Sequence, residues 1–229
     1  MKKTFLSLAF CGAMVVGKAQ TADEVVNKHI EAMGGKDKLL TLKTLVREGV
    51  LNSIGVEIPI TLTSEQDKGF KMEVNVMGTI GYEIITPTGG WIYMPFQGST
   101  GLEYMTEEQV KQGQDDLDVQ GELLDYAAKG HKVELLGKEK LDGVEVYKLK
   151  LTSRSGMVKD LYIDASTSYV VKVVVTEKDK TSEVRYSNYK KTPEGFLFAY
   201  TLVRPEGEVR FSKISTNTKL PDSTFKPEN

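Results

Sequence analysis

The chain reads as mainly β with a few helices (α+β): a curved antiparallel sheet, or incomplete β-barrel, closed by a few α-helices. Three observations predict this class. First, past residue 43 apolar residues recur at every second position. Phe70, Met72, Val74 and Val76 alternate with Lys71, Glu73 and Asn75, and the same period runs through Val56/Ile58/Ile60/Leu62, Tyr169/Val171/Val173/Val175 and Phe196/Phe198/Tyr200/Leu202. Successive side chains of a strand face opposite sides, so the pattern means a sheet with one apolar and one wet face. Second, the runs are short and separated by turn signals such as Asp142-Gly143, Ser155-Gly156, Glu194-Gly195 and Glu206-Gly207, which join neighbouring antiparallel strands. Third, about twelve strands spaced about 4.8 Å apart would span roughly 55 Å if flat, whereas a helix covers about 10 Å. Two or three helices leave much of the apolar face uncovered, so the sheet must curl. The remainder is either a self-filled core or a cavity, and the pattern alone leaves both open.

Residues 1–19 read as a cleaved signal peptide. Lys2 and Lys3 precede an uncharged apolar run from Phe5 to Val16, and Gly17-Lys18-Ala19 supplies small residues for cleavage after Ala19. The run is shorter than the about 20 residues of a bilayer-spanning helix. Phe10 stands where a lipoprotein signal needs a small residue before its cysteine, which argues against lipid anchoring at Cys11. This places the protein in the periplasm or outside the cell. Removal of Lys2, Lys3 and Lys18 takes the formal charge from −2 to −5 and leaves no cysteine. Disulfides, thiol nucleophiles and cysteine metal sites are thereby excluded from residues 20–229, and the charge balance offers no footprint for nucleic acid.

Residues 20–229 carry no linker and read as a single domain. Residues 21–34 form an amphipathic helix with Val25, Val26, Ile30 and Met33 on one face, capped by Thr21 or Asp23 and stopped at Gly34-Gly35. Strands follow at about 44–52, 56–64, 69–77, 79–86 and 90–95. Thr106 to Gln109 has the spacing of a capping box. It opens a helical stretch, broken near Gly113, that runs to about Lys129 with Asp115, Asp116, Asp118 and Glu122 toward solvent. Strands resume at about 131–140, 143–152, 157–163, 169–177, 181–191, 195–203 and 207–216.

Chemistry-bearing patterns are sparse. His29 sits at the edge of the first helix's apolar face and His131 at a helix-to-strand junction, without metal-ligand spacing around either. No serine lies in a G-x-S-x-G elbow and no glycine loop has phosphate-binding form. Asp115, Asp116 and Asp118 fail the calcium-loop offsets, with Gln120 and Tyr126 where glycine and glutamate belong. The expectation is a protein without catalytic residues, metal or cofactor, and not an enzyme. The candidate ligand-binding residues are Phe70, Met72, Val74 and Val76 on one strand face and Trp91, Tyr93 and Met94 beside Phe96, since aromatics and methionine adapt to irregular apolar partners. Arg47 on the first strand would anchor a carboxylate or phosphate if it faces inward, or pair with Glu48 or a neighbouring strand if it faces outward.

Four stretches carry a family likeness. They are Ala22 to Gly35; Val133 to Glu139 followed by Leu141-Asp142-Gly143-Val144; Leu161-Tyr162-Ile163-Asp164 leading to Val170-Val171-Lys172; and the closing Leu220-Pro221-Asp222-Ser223-Thr224-Phe225. In order and over nearly all of residues 20–229, the chain resembles the LolA/LolB-like superfamily of periplasmic lipoprotein carriers, particularly the lipoprotein-sorting-like proteins of Bacteroidetes. The resemblance implies a half-barrel whose apolar interior accepts lipid or lipoprotein acyl chains. It implies a carrier role with an envelope or membrane protein as a further partner, and makes Arg47 the candidate for the arginine such carriers place on an early strand. A monomer is expected. The helices at 106–129, with Gly113, Gly121 and Gly130, would form a lid. The alternative function is a non-enzymatic envelope scaffold or interaction module with a closed core.

Overall fold

The computed structural model describes residues 20–177 and 180–227; the expected signal peptide and Cys11 lie outside the described residues. Helix α1 (Ala22–Ala32) starts at Thr21, whose hydroxyl accepts from the Glu24 amide while the Glu24 carboxylate accepts from the Thr21 amide. It stops where Gly34 and Gly35 take positive φ, and α2 (Lys36–Leu40) follows. His29 is a buried fixture of α1: its Nδ1 donates to the Ser168 carbonyl at 2.8 Å.

Thirteen strands then build one antiparallel sheet. The first group is β1 (Thr44–Ser53), β2 (Val56–Glu65), β3 (Gly69–Val76), β4 (Thr79–Thr86), β5 (Gly89–Tyr93) and the two-residue β6 (Glu103–Tyr104). The second is β7 (Lys132–Leu141), β8 (Val144–Thr152), β9 (Val158–Asp164), β10 (Val170–Glu177), β11 (Lys180–Lys191), β12 (Leu197–Arg204) and β13 (Gly207–Thr216). The order is β6-β5-β4-β3-β2-β1-β13-β12-β11-β10-β9-β8-β7. Each group is a meander, and the first and last strands pair in the middle. The sheet is open, as expected, and its edges are β6 and β7. The connection between them, residues 105–131, therefore crosses the open side.

That crossing segment departs from the expected helix. Its capping box forms as anticipated, with Thr106 and Gln109 bonded reciprocally. However, α3 spans only Glu107–Gln112, a 3-10 helix takes Gly113–Leu117, and turns fill residues 119–130. Side chains outcompete the helical backbone bonds here: Gln66 Oε1 accepts from the Val119 amide at 2.9 Å and Asp118 Oδ1 from the Gln120 amide at 3.2 Å. Gly121, Asp125 and Gly130 adopt positive φ, which ends any regular helix.

The core lies on the inner face of the sheet, the face that the helices and the crossing segment touch. One cluster packs Val25, Val26, Ile30, Leu39, Leu123 and Leu124 on Leu149, Leu151, Leu161 and Ile163. A second gathers Leu42, Leu45, Ile60, Leu62, Val119, Leu202, Val209, Phe211 and Ile214. The outer face is not wet throughout, contrary to simple alternation. The outer face of β4 and β5 is apolar, and Tyr82, Ile84, Trp91 and Tyr93 are covered by Leu220 and Phe225 of the C-terminal tail.

Candidate functional site

Register fixes which residues share the inner face. Ile214, Arg47, Leu62, Met72, Glu83 and Ile92 stand side by side across six strands. The row on one side places Phe70 beside Ile85, and the row on the other places Ile60, Val74 and Gly81 together. Phe70, Met72 and Val74 therefore share a face with Arg47, with Val76 further along β3 on the same face. All four β3 residues are half-buried. Met94 also lies on this face: a Cβ on Gly81 would come within 2.9 Å of Met94 Sδ and 2.5 Å of Phe96 Cε1.

Trp91 and Tyr93 do not join them. Trp91 pairs with Ile84 and Tyr93 with Tyr82, so both point outward into the cluster under Phe225. The contiguous string Trp91-Ile92-Tyr93-Met94 divides between faces because a strand alternates; grouping these aromatics with Phe70 and Met72 was an error of parity.

Arg47 faces inward rather than pairing on the surface. Its guanidinium lies over Phe211, 5.6 Å from the ring centroid, and its Nε is buried without a hydrogen bond. Burial pulls its pKa below the ordinary arginine range, and the charge of Asp116 opposes that shift. Asp116, on the crossing segment, is solvent-exposed by surface area. Its carboxyl pKa is nonetheless raised, first because protein surrounds it where bulk water otherwise would, while Lys159 and Arg47 pull the other way. Glu83 is raised for the same reason, with repulsion from Asp116 adding to it.

The acids of the crossing segment were expected to face solvent, and two of them face the sheet instead. Lys159 of β9, on the same face as Leu161 and Ile163, binds Glu122 at 2.7 Å and Asp115 at 3.1 Å. Asp118 pairs with Lys129 at 2.7 Å. A lysine at an inward position among apolar neighbours draws carboxylates in, since a lone buried charge is far costlier than a pair. The segment also contacts the wall directly at Gly113, where an added Cβ would lie 2.3 Å from Ile85 Cδ1.

Two of the pockets that border this segment bear on the site. One of about 260 Å³ is walled by Ile30, Met33, Leu39, Leu42, Val119, Leu123, Leu124, Leu161, Val173, Tyr186, Tyr189 and Phe198, with His29, Gln120 and Glu122 at its polar margin. It adjoins the second core cluster through Leu42, Val119, Tyr186 and Phe198, which belong to both. The other, about 390 Å³, is polar and lined by Asp115, Asp118, Glu122, Lys129, His131 and Arg154 among others. His131 Nδ1 there accepts from the Arg154 amide at 2.9 Å. Among the described residues no group of three or more His, Cys, Asp or Glu is placed to hold a metal ion.

Glu83, Asp116, Glu122, Lys159 and Tyr186 escaped the reading of the sequence. A signal existed for two of them. Glu83 and Lys159 occupy the apolar parity of their strands, flanked at two residues' distance by Gly81 and Ile85 and by Leu161. A charge at such a position is a buried-polar anomaly.

No family model matches the sequence, and no curated protein does. Solved structures do match. A LolA superfamily protein from Nitrosomonas europaea superposes with TM-score 0.57 at 17% identity, covering 91% of this chain and 99% of that one. An outer membrane lipoprotein-sorting protein domain from Vibrio parahaemolyticus gives 0.55 at 16% identity, covering 89% and 95%. A DUF1329 family protein from Desulfovibrio piger gives 0.52 at 14% identity, covering 90% and 97%. The chain thus shares the fold of these proteins, an open curved antiparallel sheet with a few helices.

Proposed function

We propose that this protein is a binding or carrier protein whose hollow takes the acyl chain of a lipid or lipoprotein, in the manner of lipoprotein sorting. One observation carries the reading. The inner-face side chains Leu51, Phe70, Met72, Val74 and Tyr186 pack against the second core cluster yet stay partly exposed, and an exposed Asp116 acts on Arg47 beside them. A self-filled core would exclude solvent from these residues. Each methylene moved from water into such a wall gains about 0.8 kcal/mol, so a long chain binds without covalent chemistry. Arg47, with its unsatisfied Nε, is the anchor for a carboxylate, phosphate or ester oxygen at the head of that chain. The role needs no catalytic residue, metal or cofactor. It fits an exported, monomeric single-domain protein of the periplasm, freed of residues 1–19, that receives its cargo from an envelope or membrane partner.

The test is binding. Native mass spectrometry of protein isolated from its own envelope should show bound lipid. Titration with a long-chain fatty acid should saturate at one site and weaken several-fold in Arg47→Met, whose fold should be intact because the arginine is poorly satisfied. Absence of lipid in the isolated protein together with no saturable uptake would sink the reading in favour of a closed interaction module.

A further inference from the structure

The β1–β2 and β3–β4 turns are built against local preference. Ile54-Gly55 and Met77-Gly78 have positive φ at both central residues (51° and 78°; 52° and 88°). This is the conformation that favours Asn-Gly or Asp-Gly, and Asp142-Gly143 has it in the same sheet with φ of 50° and 87°. A left-handed conformation is unfavourable for an isoleucine, whose branched Cβ crowds the following carbonyl. Both side chains are also fully exposed, at 102% and 101%, with Val56 and Ile80 more than half exposed beside them. Strain and exposure at one point make no sense for folding.

Three further features set these turns apart. The ladder between β2 and β3 stops at Ile60 with Val74, yet each hairpin continues to its own tip, β1–β2 to Ser53 with Val56 and β3–β4 to Val76 with Thr79. Pro59, lacking an N–H, sits where the ladder stops. The sheet thus forks into two prongs. Residues 49–56 and 74–82, which form the tips, carry no charge, in a chain that is 27% charged. The opposite ends of the same strands are covered: the β2–β3 turn binds the crossing segment through Asp67 N–H to Leu117 O and Val119 N–H to Gln66 Oε1, and Gln120 caps the carbonyls of Leu40 and Leu42. The prongs lie at the other end of these strands, and the apolar inner face at Val74 and Val76 runs directly into them.

We propose that the two prongs form a membrane-docking edge, with Ile54 and Met77 inserting into the headgroup–acyl boundary of a phospholipid bilayer. A bilayer suits this shape better than a protein pocket does. Two apolar points on separately paired hairpins offer no continuous complementary face, whereas a fluid surface accepts both at any spacing. No basic cluster frames them, since Arg204 and Arg210 stand among Glu57, Glu206 and Glu208. The attachment is therefore apolar and insensitive to anionic lipid and salt. That an acyl chain passes between bilayer and hollow at this edge rests on the binding role proposed above; the docking itself does not.

The test is flotation with phosphatidylcholine vesicles, using residues 20–229. Wild type should float at low and high salt, and the double variant Ile54→Asn, Met77→Asn should lose about tenfold or more in partitioning. Asparagine accepts the left-handed turn, so the variant keeps its fold, which circular dichroism and thermal unfolding would verify. Equal flotation of wild type and variant, or no flotation of either, overturns the docking edge. Fatty-acid uptake measured on the same samples separates the two readings. Uptake without flotation refutes docking alone, and tip-dependent flotation without uptake supports docking while refuting the acyl-binding role.

Discussion

Alanine at Gly69 should detach the C-terminal tail from the outer face. A Cβ there would lie 2.4, 2.6 and 2.8 Å from Cγ, Cδ1 and Cδ2 of Phe225, well inside contact distance and against a rigid ring. The backbone of Gly69 is ordinary strand, so alanine carries no conformational penalty and the collision is the whole effect. Phe225 is 8% exposed, and returning a buried phenyl ring to water costs about 1.5–3 kcal/mol. Gly69→Ala should therefore destabilise by about 2 kcal/mol and Phe225→Ala by about 3 kcal/mol. The double variant should cost no more than Phe225→Ala alone, because the alanine then meets an empty site; the coupling energy is about 2 kcal/mol. Urea unfolding followed by the fluorescence of Trp91 measures both quantities. Trp91 is the one tryptophan of the chain and packs in the same cluster, so it also reports undocking of the tail directly. Additive losses, or a Gly69→Ala protein with unchanged stability and Trp91 emission, would refute the reasoning.

Four other outcomes are expected. Lys159→Met should destabilise by about 3 kcal/mol, since it strands Glu122 and Asp115 beside an apolar wall, and hydrogen exchange should quicken across residues 113–124. Glu83, Asp116 and Glu122 have folded pKa values raised above their ordinary 4.5, 3.8 and 4.5. The folded state then holds more protons than the unfolded one between those values and the raised ones, so their contribution to stability falls as pH rises through that window; Glu122→Gln should flatten the decline in denaturation curves above pH 4.5. Arg47→Met should keep its melting temperature while weakening fatty-acid binding, which calorimetry would resolve. Ile54→Asn should raise stability by about 1 kcal/mol by relieving the left-handed turn, seen as a higher urea midpoint, while lowering vesicle partitioning.

Most of the sheet was legible because strand periodicity and turn chemistry are local. Phe70, Met72 and Val74 alternate cleanly, and Asp142-Gly143 and Glu194-Gly195 mark turns wherever a strand assignment needs one. The capping boxes at Thr21 and Thr106 were equally readable, each being four residues long. The site was less legible because it depends on register, which one misjudged parity reverses, as with Trp91 and Tyr93. The crossing segment was misread because its conformation is decided by distant side chains: Gln66 binds Val119 and Lys159 binds Glu122 across 53 and 37 residues of sequence. The edge strand β6 was missed since two residues carry no period.

The topology suggests how the proposed hollow would be kept open. Pairing the first strand with the last puts both sheet edges on strands that lie consecutively in sequence, β6 and β7, so the chain must return across the open side. A returning segment of leucines would collapse onto the apolar wall and fill it. This one carries Asp115, Asp116 and Glu122 in its middle and keeps apolar anchors at Leu117, Val119, Leu123 and Leu124. Charged groups cannot settle into the Phe70–Met72–Val74 surface without losing their water. The segment is held by Lys159, by the covered end of β1–β3 and by Gly113 against Ile85. On the acyl-binding reading, the same carboxylates that first suggest a solvated helix face would act as spacers, with Asp116 still exposed among them.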